Sequence, residues 1–123
     1  MNAIPIALLT LAVGAAFPAH ATPSTPSGAI SVAQVVELLQ RAPKDNAARN
    51  AAMAYLAGVG ETTGLLVAEA GRRAGVTLTC ARPLGISSAA ALAALSSVDQ
   101  GRRDKTAATP ILVDDMLSRA GCR

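Results

Sequence analysis

The chain has 123 residues, 51% of them apolar, with a formal net charge of +3, one tyrosine, one phenylalanine, one histidine and no tryptophan. A chain of this length builds one domain and has no room for a second core. The charge is mild and its signs are interspersed, which leaves no nucleic-acid footprint.

Residues 1–21 read as a secretory signal peptide. The apolar run from Ile4 to Ala16 has the length of an h-region, Pro18 breaks it, and Ala19-His20-Ala21 supplies the small-x-small cleavage pattern. The alternative is an uncleaved anchor. Against it, the run is shorter than the ~20 residues a spanning helix needs, and Pro5 and Gly14 interrupt it. No cysteine follows the run to accept a lipid. Cleavage after Ala21 removes 21 of the 123 residues, leaves 102, and takes away His20 and Phe17. The expected destination is the periplasm, with no stable membrane anchor after cleavage.

The mature core must then be built from Ala, Leu and Val, with Tyr55 as its one aromatic. Small side chains bury little area each, at about 25 cal/mol per Å². Such a domain needs a staple or a partner subunit. In an oxidising compartment Cys80 and Cys122 read by default as one intrachain disulfide. Two free thiols or a metal pair are the alternatives, and two thiolates without histidine make a poor zinc site. No metal or other cofactor is expected.

In chain order, residues 22–29 are Pro/Ser/Thr-rich and read as a disordered leader, with the helical domain occupying 30–123. Ser31-Val-Ala-Gln34 is a capping-box pattern before Val32, Val35, Val36 and Leu39 at helical spacing. Pro43 should end this first helix near Arg41. Asp45 or Asn46 can cap a long second helix, on which Ala48, Ala52, Tyr55, Val59, Leu66, Val67 and Ala70 share one broad face. Gly58, Gly60 and Gly64 lie inside it, each costing up to ~1 kcal/mol against Ala. They mark either a break or, as favoured here, a place where another helix packs closely. Gly71 to Gly75 reads as a connection, Val76 to Thr79 as extended, and Cys80 to Pro83 as a turn.

Ser87 or Ser88 can cap a third, Ala-rich helix reaching about Val98, followed by a charged loop from Asp99 to Thr106. Thr109 then looks like an N-cap, with Pro110 at the first helical position. Leu112, Val113, Met116, Leu117 and Ala120 form an apolar stripe opposite Asp114, Asp115, Ser118 and Arg119, and Gly121 ends the helix. The fold class is therefore all-α, a small four-helix domain with one disulfide.

Catalytic signals are missing. Without histidine, Ser-His and Cys-His catalysis are excluded in their usual forms. A Ser-Lys arrangement would have to use Lys44 or Lys105, both in loops. Gly58-Val-Gly60 lies in a helical pattern and is no phosphate loop. Asp114 and Asp115 are adjacent on a helix and diverge by about 100°, so they do not converge on a substrate. The chain is not expected to be an enzyme. Arg72-Arg73, and Arg102-Arg103 with Lys105, read as solvated connectors. The sharper reading makes Asp99, Gln100, Arg102, Arg103, Asp104 and Lys105 an exposed recognition loop. Tyr55 reads as core, with a binding hot spot as the alternative.

Together, Ala52-Met-Ala-Tyr55-Leu-Ala-Gly-Val59, then Cys80-Ala-Arg-Pro83 with Gly85, then a helix ending at Cys122, resemble the Rap/Tai family from about Val35 onward. These are small secreted immunity proteins against type VI secretion amidase effectors. Members often carry a further cysteine pair. Here one of its positions is Ala52, and no cysteine lies between Leu38 and Asn46, so both halves are missing together. Cys80 and Cys122 match the retained pair.

The resemblance implies an all-α periplasmic protein, commonly a homodimer, that occludes the active-site cleft of a secreted peptidoglycan amidase. The plug would be the Asp99 to Lys105 connection. A general periplasmic binding or chaperone-like helical protein, without a specific toxin partner, is the rival reading. A core of Ala, Leu and Val that opens easily could expose apolar surface to clients.

Overall fold

The computed structural model describes residues 24–123, so the signal segment lies outside the described residues. Four α-helices follow in order: α1 (Val32–Arg41), α2 (Asn46–Ala74), α3 (Ser88–Ser96) and α4 (Ala108–Ala120), with a 3-10 turn at Gln100–Arg102 between the last two. The chain is a four-helix all-α bundle carrying one disulfide, Cys80–Cys122. Among the described residues the only strand-like pairings are two isolated antiparallel bridges, Ser31 with Ala107 and Cys80 with Cys122.

Local chemistry explains the starts of three helices. Ser31 Oγ accepts from the Gln34 backbone N–H, and Gln34 Oε1 accepts from the Ser31 N–H at 2.8 Å, closing the capping box of α1. Asp45 caps α2 through the amides of Ala47 and Ala48, and Ser87 caps α3 through Ala90. Glycines in the left-handed region end α2 and α4, Gly75 at φ 64° and Gly121 at φ 65°.

α4 begins differently from expectation. Its first residue is Ala108 and its N-cap is Ala107, which has no side-chain acceptor. The first amide is instead satisfied by tertiary structure, the N–H of the buried Ala108 donating to the Ile30 carbonyl at 3.0 Å. Pro110 therefore sits third in the helix, still among the positions whose N–H has no intrahelical partner. Thr109 is thereby free for a tertiary contact described below.

The core is a layer of small and medium apolar side chains. Val32, Val35, Val36 and Leu39 of α1 meet Leu56 and Val59 of α2, Leu95 of α3, and Leu112 and Met116 of α4. Leu95, Leu112 and Met116 are the largest fully buried side chains. Tyr55 packs against this cluster from a half-buried position. The stretch read as a disordered leader contains a hydrogen-bonded turn. Thr25 is buried, its carbonyl accepts from Gly28, and its hydroxyl accepts from the Ala29 N–H at 3.0 Å.

Two expectations for α2 are overturned. The helix runs through Gly71-Arg72-Arg73 rather than ending at Gly71. The glycines inside it do not mark a close helix approach either: a Cβ built at Gly58, Gly60 or Gly64 meets nothing within 4 Å. Each has open space where a side chain would go, although Gly60 and Gly64 are half-buried.

Candidate functional site

Helix lengths decide where apolar surface is left over. At 1.5 Å per residue, the 29 residues of α2 extend about 43 Å, while the 13 of α4 reach about 20 Å and the others less. No partner helix can cover α2 along its length. Its buried residues, Ala48, Ala52, Leu56, Val59 and Thr63, accordingly stop about ten residues before its end. The apolar pattern does not stop there. Leu65 and Leu66 follow with 71% and 64% of their surface exposed. Leu66, which the sequence pattern places on the core face, is thus at the surface because nothing reaches it. By length and composition alone α2 is also long and apolar enough to cross a membrane, and only 22% of its most apolar stretch is buried in the bundle.

After Gly75 the chain turns back, with the Val76 carbonyl 3.6 Å from the position a Gly71 Cβ would occupy. Residues Val76–Thr79 run extended toward the end of α4. Backbone pairing fixes them there: the Thr79 N–H donates to the Arg123 carbonyl and the Arg123 N–H to the Thr79 carbonyl, both at 3.0 Å, and the Arg82 N–H donates to the Ala120 carbonyl at 3.0 Å. The Cys80–Cys122 disulfide lies inside this pairing. The segment is a covalently fastened strap.

Between α2, α4 and the strap lies a groove of about 360 Å³. Val59, Leu66, Val67 and Ala70 line it from α2, Val113 and Leu117 from α4, and Val76 and Leu78 from the strap. Three threonines complete the lining, and two of their hydroxyls are already engaged. Thr63 Oγ1 donates to the Val59 carbonyl at 2.7 Å, and Thr109 Oγ1 shares a 2.8 Å hydrogen bond with Tyr55 Oη. The groove presents an apolar body with almost no polar group to read a ligand. Burial holds the Tyr55 phenol above its usual ionisation range, and the Thr109 hydrogen bond offsets part of that.

The Asp99 to Lys105 connection is a separate feature. Asp99, Gln100, Arg102 and Lys105 are exposed, while Arg103 and Asp104 are half-buried. The Arg103 guanidinium folds back onto the bundle. Its Nε donates to the Val98 carbonyl at 2.9 Å and its Nη2 to the Ser96 carbonyl at 3.4 Å, satisfying the C-terminal end of α3. The Arg103 carbonyl accepts from the Ala33 N–H at 3.0 Å. The loop is therefore held firmly on the bundle, and Arg103 holds it. Of the other basic pair, Arg72 and Arg73 both bond Glu69.

The groove residues of α2, α4 and the strap were not singled out as a site from sequence. A signal for them was present, since the apolar period of α2 outruns any neighbour long enough to cover it. Among the described residues no cluster of three or more His, Cys, Asp or Glu side chains could hold a metal ion. No protein-family model, curated protein or solved structure matches this chain.

Proposed function

We propose that this protein is a non-catalytic helical binding protein of the periplasm whose working surface is the groove between α2, α4 and the Val76–Thr79 strap. The observation that carries this reading is the uncovered second half of α2. Leu66 and Val76 are large, apolar and exposed, and they converge on a groove whose threonine hydroxyls at positions 63 and 109 are satisfied internally. Contiguous apolar surface of this kind on a small protein marks an interaction site. Export, the periplasmic address and the lack of catalysis belong to the same proposal, resting on the signal-peptide pattern and the missing histidine of the mature chain. The test is capture of an aggregating client such as reduced, unfolded protein. The wild type should suppress aggregation and a Leu66→Asp variant should not. Equal suppression by both would remove the groove from the reading.

The held polar loop favours a second reading. Gln100, Arg102 and Lys105 project from a connection braced by Arg103, the kind of preformed loop that enters a partner's cleft. With the Rap/Tai resemblance, this supports an immunity protein that blocks a secreted peptidoglycan amidase. Co-expression with such an amidase in the periplasm tests it. Protection that is lost in a Gln100→Ala/Arg102→Ala variant supports the immunity reading, and lysis equal to that of cells lacking the protein rejects it.

A further inference from the structure

Resting on the groove as the binding surface, we infer that its ligand is a free medium-chain fatty acid, the acyl chain lying along α2 and the carboxylate at the strap end. Three observations lead there. The first is polarity. The lining offers the backbone N–H and C=O groups of an extended peptide few partners, because two of its three threonine hydroxyls, those of Thr63 and Thr109, are already hydrogen-bonded. A hydrocarbon chain carries no such groups.

The second is size. From Thr109 to Leu117 the α4 wall advances eight residues, about 12 Å, and from Val59 to Ala70 the α2 wall advances eleven, about 16 Å. With C–C bonds near 1.5 Å, an extended chain advances about 1.25 Å per carbon, so roughly ten to thirteen carbons span the groove. A volume of about 360 Å³ sits at the small-ligand end of binding cavities. An α-helix, 10–12 Å across with its side chains, would stand mostly outside it.

The third is charge. The segments flanking the strap, residues 69–82 and 120–123, carry four arginines (Arg72, Arg73, Arg82 and Arg123), all outside the groove lining itself, against one carboxylate side chain, Glu69. Glu69 pairs with Arg72 and Arg73 together, so this end keeps a surplus of positive charge. The opposite end, at Val59 and Thr109, has no such surplus, and Glu61 is the nearest charge along α2. An anionic head therefore belongs at the strap.

Calorimetric titration of the oxidised protein with octanoate, decanoate, dodecanoate and hexadecanoate tests the chain. Affinity should rise about fourfold per methylene, from ~0.8 kcal/mol per buried CH₂, and level off once the chain outruns the groove. Dodecanol and dodecyltrimethylammonium test the head. Dodecanoate should bind more tightly than both, and Arg72→Gln/Arg73→Gln should weaken dodecanoate about two- to fivefold while leaving dodecanol unchanged. Leu66→Asp, at an exposed position that leaves the melt intact, should weaken every ligand at least tenfold.

No dodecanoate binding overturns the ligand assignment, as does equal affinity for the cationic amphiphile. If client capture still depends on Leu66 in that case, the groove reading stands and an apolar segment of a partner protein is the occupant. If sedimentation shows a dimer that Leu66→Asp dissociates, a second copy occupies the groove and the fatty-acid assignment falls. If Leu66→Asp changes neither amphiphile binding, client capture nor sedimentation, the groove reading fails with it.

Discussion

Tyr55 Oη and Thr109 Oγ1 lie 2.8 Å apart across the junction of α2 and α4, where Thr109 also lines the apolar groove. The contact exists because α4 starts at Ala108, with its first amide bonded to Ile30. A threonine needed as an N-cap would point its hydroxyl at its own helix. Here the side chain is released to pin the one aromatic ring of the described residues.

Titration of that ring is directly measurable, because Tyr55 is the only tyrosine in the chain. Burial is the larger influence and raises its ionisation above the ordinary value of 10.0, while the Thr109 hydrogen bond lowers it. Ultraviolet difference titration should give a midpoint above 10, and Thr109→Val should move it higher still. The sign for stability follows from linkage. The unfolded chain loses this proton at a lower pH than the folded one, so the contribution is complete below pH 10 and is lost as pH rises through the folded value. A midpoint at or below 10 would mean the ring is solvated.

Gly58, Gly60 and Gly64 offer a test of the uncovered surface of α2. Each lies within a continuous helix with open space where a Cβ would go. Alanine removes backbone freedom from the unfolded chain without meeting a neighbour, and each change should stabilise by about 0.5–1 kcal/mol. The triple alanine variant should gain about 2 kcal/mol and melt roughly 8–16 °C higher. Loss of stability at any one of the three would show that something packs against that face after all.

These glycines also show where sequence reading reaches its limit. α1 was legible because its signals are local: the Ser31–Gln34 capping box, four apolar residues at helical spacing, and Pro43 beyond the end. The Cys80–Cys122 bridge followed from the signal-peptide pattern, which implies an oxidising compartment, and from there being only two cysteines. What lies against Gly58 or Leu66 is a question about other elements, and helical periodicity gives the same stripe whether or not a partner covers it. The comparison that resolves it is one of lengths, about 43 Å of α2 against about 20 Å of α4. Arg103 differs in the same way. A basic residue in a charged loop looks free until the carbonyls of Ser96 and Val98 are found beside it.

Asp45 joins α1 to α2 through two roles. Its Oδ1 accepts from the Ala47 and Ala48 amides at 2.9 and 3.2 Å, and its Oδ2 accepts from Arg41 Nη2 at 2.6 Å. The Ala48 amide foremost, then the Arg41 guanidinium, hold its carboxyl below the ordinary value of 3.8. A depressed carboxyl stabilises the fold above its unfolded value, and that share is lost as pH falls through the folded one. Asp45→Ala should therefore melt lower than Asp45→Asn at pH 7, since asparagine still caps. The gap between wild type and Asp45→Asn should close in acid. A gap that persists at pH 2 would assign the effect to packing rather than charge.

Removing the disulfide should separate the bundle from its groove. The Cys80–Cys122 bridge spans 42 residues, enclosing α3 and α4, and loop closure over that length is worth about 4 kcal/mol in the chain-entropy account. A Cys80→Ser/Cys122→Ser variant should lose most of that in denaturant titration, and wild type under reductant should match it. The loss should not be uniform. Val35, Leu95 and Leu112 keep their mutual packing, whereas the strap is left with three backbone hydrogen bonds among Thr79, Arg82, Ala120 and Arg123. Amide exchange should therefore quicken first at Thr79, Arg82 and Arg123, and then along Leu66–Ala74. That part of α2 has only the strap and the Val113–Leu117 edge of α4 beside it. Exchange that accelerates equally in α1 would mean the strap and the core open as one unit, and reduction would then unfold the protein rather than open its groove.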